Sequence, residues 1–125
     1  PLPIALTNPS LLSIDEHVSC AVADQKLKCW DKKFNLLVAP GLTDIRELRA
    51  NNRAACAISQ GAVKCWNYYS VNGVFKMTSV PEKLDGPRGL TMAGTSACVL
   101  TNNGVRCWDL FKGEEILIPN YSLVK

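Results

Sequence analysis

Three segments of this chain spell one unit. CAVADQKLKCW runs from Cys20 to Trp30, CAISQGAVKCW from Cys56 to Trp66, and CVLTNNGVRCW from Cys98 to Trp108. All six cysteines and all three tryptophans of the 125 residues lie inside it. The first cysteines stand at 20, 56 and 98, a period of 36 and then 42 residues. Self-similarity on that scale means one supersecondary unit copied and stacked, because a single small unit cannot bury its own apolar face. The repeat therefore constrains the fold more tightly than any local propensity.

The cysteine spacing separates two chemistries. Zinc knuckles want Cys pairs two to four residues apart, whereas each pair here has eight residues between. A hairpin fits instead. With Ala55 to Ile58 as one strand and Val63 to Trp66 as the next, a reversal around Gln60-Gly61 sets Cys56 opposite Cys65. The same reversal works around Asp24-Gln25 and around Asn102-Asn103-Gly104, where Asn and Gly tolerate the positive φ of short turns. Directly opposed residues of an antiparallel pair lie within disulfide reach. The expected bridges are Cys20–Cys29, Cys56–Cys65 and Cys98–Cys107. Each would contribute about 2–3 kcal/mol on the chain-entropy model. Bridged cysteines imply an oxidising compartment, hence a secreted, periplasmic or cell-surface protein. The alternative is six reduced, buried cysteines acting as small hydrophobes in the cytosol.

Each repeat reads as four short strands. The first covers Leu11 to Asp15, Ser19 to Ala23, Leu27 to Asp31 and Asn35 to Val38. The second covers Asp44 to Ala50, Ala54 to Ser59, Ala62 to Tyr68 and Val74 to Val80. The third covers Gly89 to Ala93, Ser96 to Thr101, Val105 to Leu110 and Glu115 to Ile118. Strand-like runs at short intervals with Gly, Pro and Asn between them are an all-β signature. Four strands per repeat of about 40 residues is the arithmetic of a propeller blade. The expected fold is a single all-β, propeller-type domain over 1–125. It has three four-stranded blades, about 3–40, 41–81 and 82–119, with 120–125 as a tail or the start of a next strand. Residues 44–50 hold good helix formers, but only Ile45 and Leu48 would make an apolar stripe, and the matching segments of the other repeats read as strand.

Pro40-Gly41-Leu42-Thr43-Asp44-Ile45, the Cys56-Ala57-Ile58 hairpin strand, the Gly61 turn and Val63-Lys64-Cys65-Trp66 together resemble the regulator of chromosome condensation repeat. The resemblance is to its cysteine-containing version in secreted bacterial proteins, and it covers Pro3 to Pro119 in three copies. That family usually follows the Trp with a Gly and an Asn-x-x-Gly-Gln-Leu-Gly stretch. Here Asp31, Asn67 and Asp109 follow instead. The Trp30-Asp31 and Trp108-Asp109 pairs also spell the WD dipeptide, but that family expects a Gly-His upstream, and His17, the one histidine, is not in that context. The resemblance implies a seven-bladed ring, of which three blades are a part. The open ends of such a part would be raw strand edges seeking a partner, so the chain is expected to belong to a longer protein, to self-associate, or to cap an edge with residues 120–125.

No enzyme constellation is visible. With His17 as the only imidazole, nothing places a free nucleophile beside a base. Glu114 and Glu115 would alternate across a strand and could not share a proton. Phosphate loops and metal-ligand clusters are not found, so neither a cofactor nor a metal is expected. Fourteen Lys and Arg are scattered through the chain and its net charge is only +3, which argues against nucleic acid as partner. No run approaches the ~20 apolar residues of a membrane-spanning helix. A chain starting at Pro1 without a signal peptide reads as processed or excised.

Binding is the expected work: an extracellular module engaging a protein or glycan through propeller loops. The resemblance also implies alternatives, namely a propeller-type enzyme inhibitor like those of β-lactamase and a small-GTPase exchange factor; a structural scaffold is a further one. The longest inter-strand insertion, 67–75, holds Tyr68, Tyr69 and Asn72, in a composition typical of adaptable recognition loops. A cation precedes each second cysteine: Lys28, Lys64 and Arg106. At matching positions around an axis these would form an anion-attracting rim. The tryptophans are expected to fill the space between blades.

Overall fold

The computed structural model describes residues 6–68 and 74–116. Twelve β-strands and no helix occur among them. They are β1 (Pro9–Ser13), β2 (Val18–Ala23), β3 (Lys26–Asp31), β4 (Leu36–Leu37), β5 (Ile45–Asn51), β6 (Ala54–Ser59), β7 (Ala62–Asn67), β8 (Lys76–Thr78), β9 (Arg88–Ala93), β10 (Ser96–Thr101), β11 (Gly104–Asp109) and β12 (Glu115–Ile116). They form three separate four-stranded antiparallel sheets, β1–β4, β5–β8 and β9–β12, each pairing its strands in chain order. Residues 45–51 are strand rather than helix, because pairing with β6 satisfies their backbone. The end of the fourth expected strand of the last repeat and the tail 120–125 lie outside the described residues.

Register is set by the cysteines. Cys20 lies opposite Cys29, Cys56 opposite Cys65 and Cys98 opposite Cys107. Each pair is joined by a disulfide across a Cα–Cα separation of 4.1 Å. The turns that close these hairpins differ. Asp24-Gln25 and Gln60-Gly61 carry both central residues at positive φ, as two-residue hairpin turns demand. In the third hairpin only Gly104 does so, at φ 121°. There Thr101 shapes the turn, donating from Oγ1 to the Gly104 carbonyl and accepting from the Asn103 amide. Every inner pair also carries a register shift, between Pro9 and Leu11, Ile45 and Glu47, and Cys98 and Leu100, which adds local twist.

The sheets pack face to face. Because side chains alternate along a strand, each sheet has a face bearing the disulfide and a face bearing the Trp. The disulfide face of the first sheet (Val18, Cys20, Val22, Cys29) packs on the Trp face of the second (Leu48, Ala50, Ala55, Ala57, Trp66, Tyr68). The disulfide face of the second (Ala54, Cys56, Ile58, Val63, Cys65) packs on the Trp face of the third (Leu90, Ala97, Val99, Trp108, Leu110). Trp66 and Trp108 thus fill the space between sheets, each large ring buried against the bridged pair of the preceding blade. Inner strands β1 and β5 touch, as do β5 and β9, while β1 and β9 do not. The result is an open fan of three propeller blades rather than a closed ring.

This arrangement corrects one expectation. The ends of the fan are not strand edges. Each sheet keeps its own inner and outer edge strand, and blade meets blade through faces of side chains.

Candidate functional site

Antiparallel order places the β2–β3, β6–β7 and β10–β11 turns at one end of the fan, together with the segments that link one blade to the next. The same bond pins all three turns. The amide of Asp24 donates to the Asn8 carbonyl, that of Gln60 to Asp44, and that of Asn102 to Asp85, at 2.9–3.1 Å. Each turn is thereby fastened to the segment that leads into its own inner strand. Between the first two blades this end opens into a hollow of about 380 Å³, lined by Ser10, Val22, Gln25, Thr43, Asp44 and Ile45. Its polar lining is exposed, and Asp44 holds Arg46 in an ion pair at 2.8 Å.

Polar side chains on and beside the inner strands tie blade to blade. Asp15 Oδ2 accepts from the Asn52 amide and Ser13 Oγ from the Ala50 amide, each at 2.9 Å. Between the second and third blades, Glu47 accepts from the amides of Gly89 (3.0 Å) and Leu90 (2.8 Å), and Asn51 Nδ2 donates to the Gly94 carbonyl. These bonds hold the fan rigid under the loops it carries.

The residue after each Trp has a structural task. Asp31 Oδ1 accepts from the amides of Lys33 and Asn35, and Asp109 Oδ1 from those of Phe111 and Lys112. Burial pushes the Asp31 carboxyl up, but the two amides outweigh it and hold its pKa below the usual carboxylate value. The Lys112 and Phe111 amides do the same for Asp109. The Trp-Asp dipeptide is thus the start of an Asx-type turn into the outer strand.

The residues singled out in the sequence do not converge. Tyr68 is buried rather than displayed. Its ring packs on the first blade, its hydroxyl donates to the Val38 carbonyl at 2.9 Å, and burial raises its pKa to about 12. That removes it from any recognition surface, because the large apolar ring gains more from the interblade core than from water. Tyr69 and Asn72 lie outside the described residues. Lys28, Lys64 and Arg106 do occupy matching register positions, opposite Ala21, Ala57 and Val99. Their surroundings differ. Arg106 is spent on a forked pair with Glu115 and on the carbonyls of Glu82 and Lys83. Hydrogen bonding to Glu115 raises the Arg106 pKa and, from the other side, lowers that of Glu115. Among the described residues, Lys28 and Lys64 form no such pair. No residue type in the sequence marks the polar hollow, because it arises from how the first two blades meet.

No metal-binding group of three or more His, Cys, Asp or Glu occurs among the described residues, and no helix there is long and apolar enough to cross a membrane.

No family model matches the chain, and no curated protein matches it. Solved structures do. The computationally designed Ika4 protein superposes with a TM-score of 0.68 at 16% identity, over 97% of this chain and 78% of that one. Human WBSCR16 follows at 0.62 and 13%, over 90% of this chain and 38% of that one. The CRINKLY WD40 ectodomain of the Arabidopsis thaliana receptor kinase ACR4 matches at 0.59 and 19%, over 84% of this chain and 37% of that one. This chain spans little more than a third of the latter two. The likeness is one of fold: the architecture is propeller-type.

Proposed function

We propose that this chain is a non-enzymatic recognition module that works outside the cytoplasm and binds a protein ligand through the loops at the hairpin end of the fan. The observation that carries the reading is the polar hollow there. A disulfide-stapled scaffold presents Ser10, Gln25, Thr43 and Asp44 around about 380 Å³ of open space, on loops each pinned by the same backbone bond. Hydroxyl, amide and carboxylate groups held on fixed backbone are the chemistry of hydrogen-bonded recognition. Three bridged hairpins support an oxidising setting. The likeness to a receptor-kinase ectodomain, and the repeat's resemblance to the cysteine-containing repeats of secreted bacterial proteins, agree with that setting.

The test is capture from the secreted and surface fractions of the producing cells, run beside a glycan array. Gln25 and Thr43 are exposed, so Gln25→Arg with Thr43→Arg fills the hollow without disturbing the core. The expected result is a protein retained by the wild type and lost by the double variant. Retention indifferent to the substitution, or binding to glycans alone, would overturn the proposal.

A further inference from the structure

The two interfaces inside the fan follow one plan and differ by an exchange of side chains. In the first, the Trp66 indole N–H donates to the Tyr68 hydroxyl at 3.2 Å, and that hydroxyl donates to the Val38 carbonyl at 2.9 Å. Leu37, opposite Cys29 on the outer strand of the first blade, packs against the same cluster. In the second, Trp108 takes the place of Trp66 and is 0% exposed. Leu110 takes the place of Tyr68: the Tyr68 amide donates to the Arg53 carbonyl, and the Leu110 amide to that of Thr95, the residue at the same point of the third blade. Thr78 takes the place of Leu37, opposite Cys65. A phenol on one side has become an aliphatic chain, and an aliphatic chain on the other has become a hydroxyl.

That exchange puts a buried donor and a buried hydroxyl into one interface. The Trp108 N–H and Thr78 Oγ1 are both shielded from solvent, and neither has a hydrogen-bond partner among the described residues. The Ser79 carbonyl is the counterpart of the Val38 carbonyl, one residue beyond Thr78 as Val38 is one beyond Leu37. It lies against the third blade, since a Cβ on Gly113 would come within 3.3 Å of its oxygen. Native proteins seldom leave buried polar groups without partners, because each one costs the desolvation it never recovers. A single water satisfies such a set, since it needs a polar setting and two to four partners.

We infer that one ordered water is bound between the second and third blades, accepting from the Trp108 N–H and donating to Thr78 Oγ1 and to the Ser79 carbonyl. It does there what the Tyr68 hydroxyl does between the first and second. Leucine leaves room for it, being shorter than tyrosine by the hydroxyl-bearing end of the ring. The first interface has no use for a second oxygen, because its hydroxyl is covalent and Leu37 offers no partner. This site lies inside the fan and does not rest on the ligand-binding proposal.

A crystal structure that shows ordered solvent, together with urea unfolding of Thr78→Val, tests it. The density should hold one water about 2.7–3.2 Å from both Trp108 Nε1 and Thr78 Oγ1. Thr78→Val keeps the β-branched shape of the strand residue and removes only its hydroxyl. With the water bound, that variant loses a hydrogen bond, and its unfolding equilibrium constant should rise roughly three- to tenfold. A hydroxyl without a partner predicts the opposite sign, since a methyl in its place removes an unsatisfied buried group. A Thr78→Val variant as stable as the wild type, or more so, therefore overturns the inference. So does a crystal structure in which the Thr78 hydroxyl meets the indole directly, or in which no water lies between them.

Discussion

The Trp66 indole N–H donates to the Tyr68 hydroxyl at 3.2 Å, and that hydroxyl in turn donates to the Val38 carbonyl on the first blade. The third blade lacks the device. Leu110 stands where Tyr68 stands, and among the described residues the buried Trp108 N–H has no acceptor. A buried donor without a partner costs about 1–3 kcal/mol. Tyr68→Phe would put Trp66 in the same position and orphan the Val38 carbonyl too. We expect the variant to fold with unchanged circular dichroism and to lose about 1–3 kcal/mol in urea unfolding.

Tyr68 also makes stability depend on alkaline pH. Burial raises its pKa from 10.0 to about 12, against the weaker opposing pull of the Trp66 N–H. Between those values the unfolded chain has released the phenolic proton while the folded chain keeps it, so stability is complete below pH 10 and falls as pH rises toward 12. The loss is on the order of 2 kcal/mol. Urea titrations at pH 8, 10 and 11.5 should show a steeper decline for the wild type than for Tyr68→Phe; parallel declines would contradict the assignment.

Glu47 joins the second blade to the third by accepting two amides. Removing it leaves the half-buried Leu90 amide without its partner. Glu47→Ala should cost about 1–3 kcal/mol, and Glu47→Gln less, because an amide oxygen still accepts. Equal losses from both variants in chemical unfolding would show that charge rather than the hydrogen bonds joins the blades.

Of the three bridges, Cys98–Cys107 faces an open groove, while the other four cysteines are fully buried. Thiol exchange requires access to sulfur. In dilute protein treated briefly with reductant, mass spectrometry after alkylation should find label on Cys98 and Cys107 before any other cysteine. Simultaneous labelling of all six would mean that the fan opens as a whole.

What could be read from the sequence follows what repetition encodes. Three copies of Cys-x8-Cys-Trp carry the hairpin register, the bridges and the blade count, because opposed cysteines and alternating side chains leave little freedom. The burial of Trp66 and Trp108 comes from the same pattern. Tyr68 was misplaced because an insertion rich in Tyr and Asn looks like a display loop, while its first tyrosine belongs to the strand face that packs inward. Arg106 shares its repeat position with Lys28 and Lys64, yet among the described residues it alone of the three has a carboxylate partner on the next strand. The hollow depends on how neighbouring blades sit in space, and alternation along single strands carries no trace of that.

The account stands most directly on the bridges, since they set the register, the face that each blade offers to the next, and the oxidising setting. Non-reducing peptide mapping of protein taken from its own cells should return three links, Cys20–Cys29, Cys56–Cys65 and Cys98–Cys107, and no free thiol. Free cysteines in that material, or a single link between repeats, would contradict it.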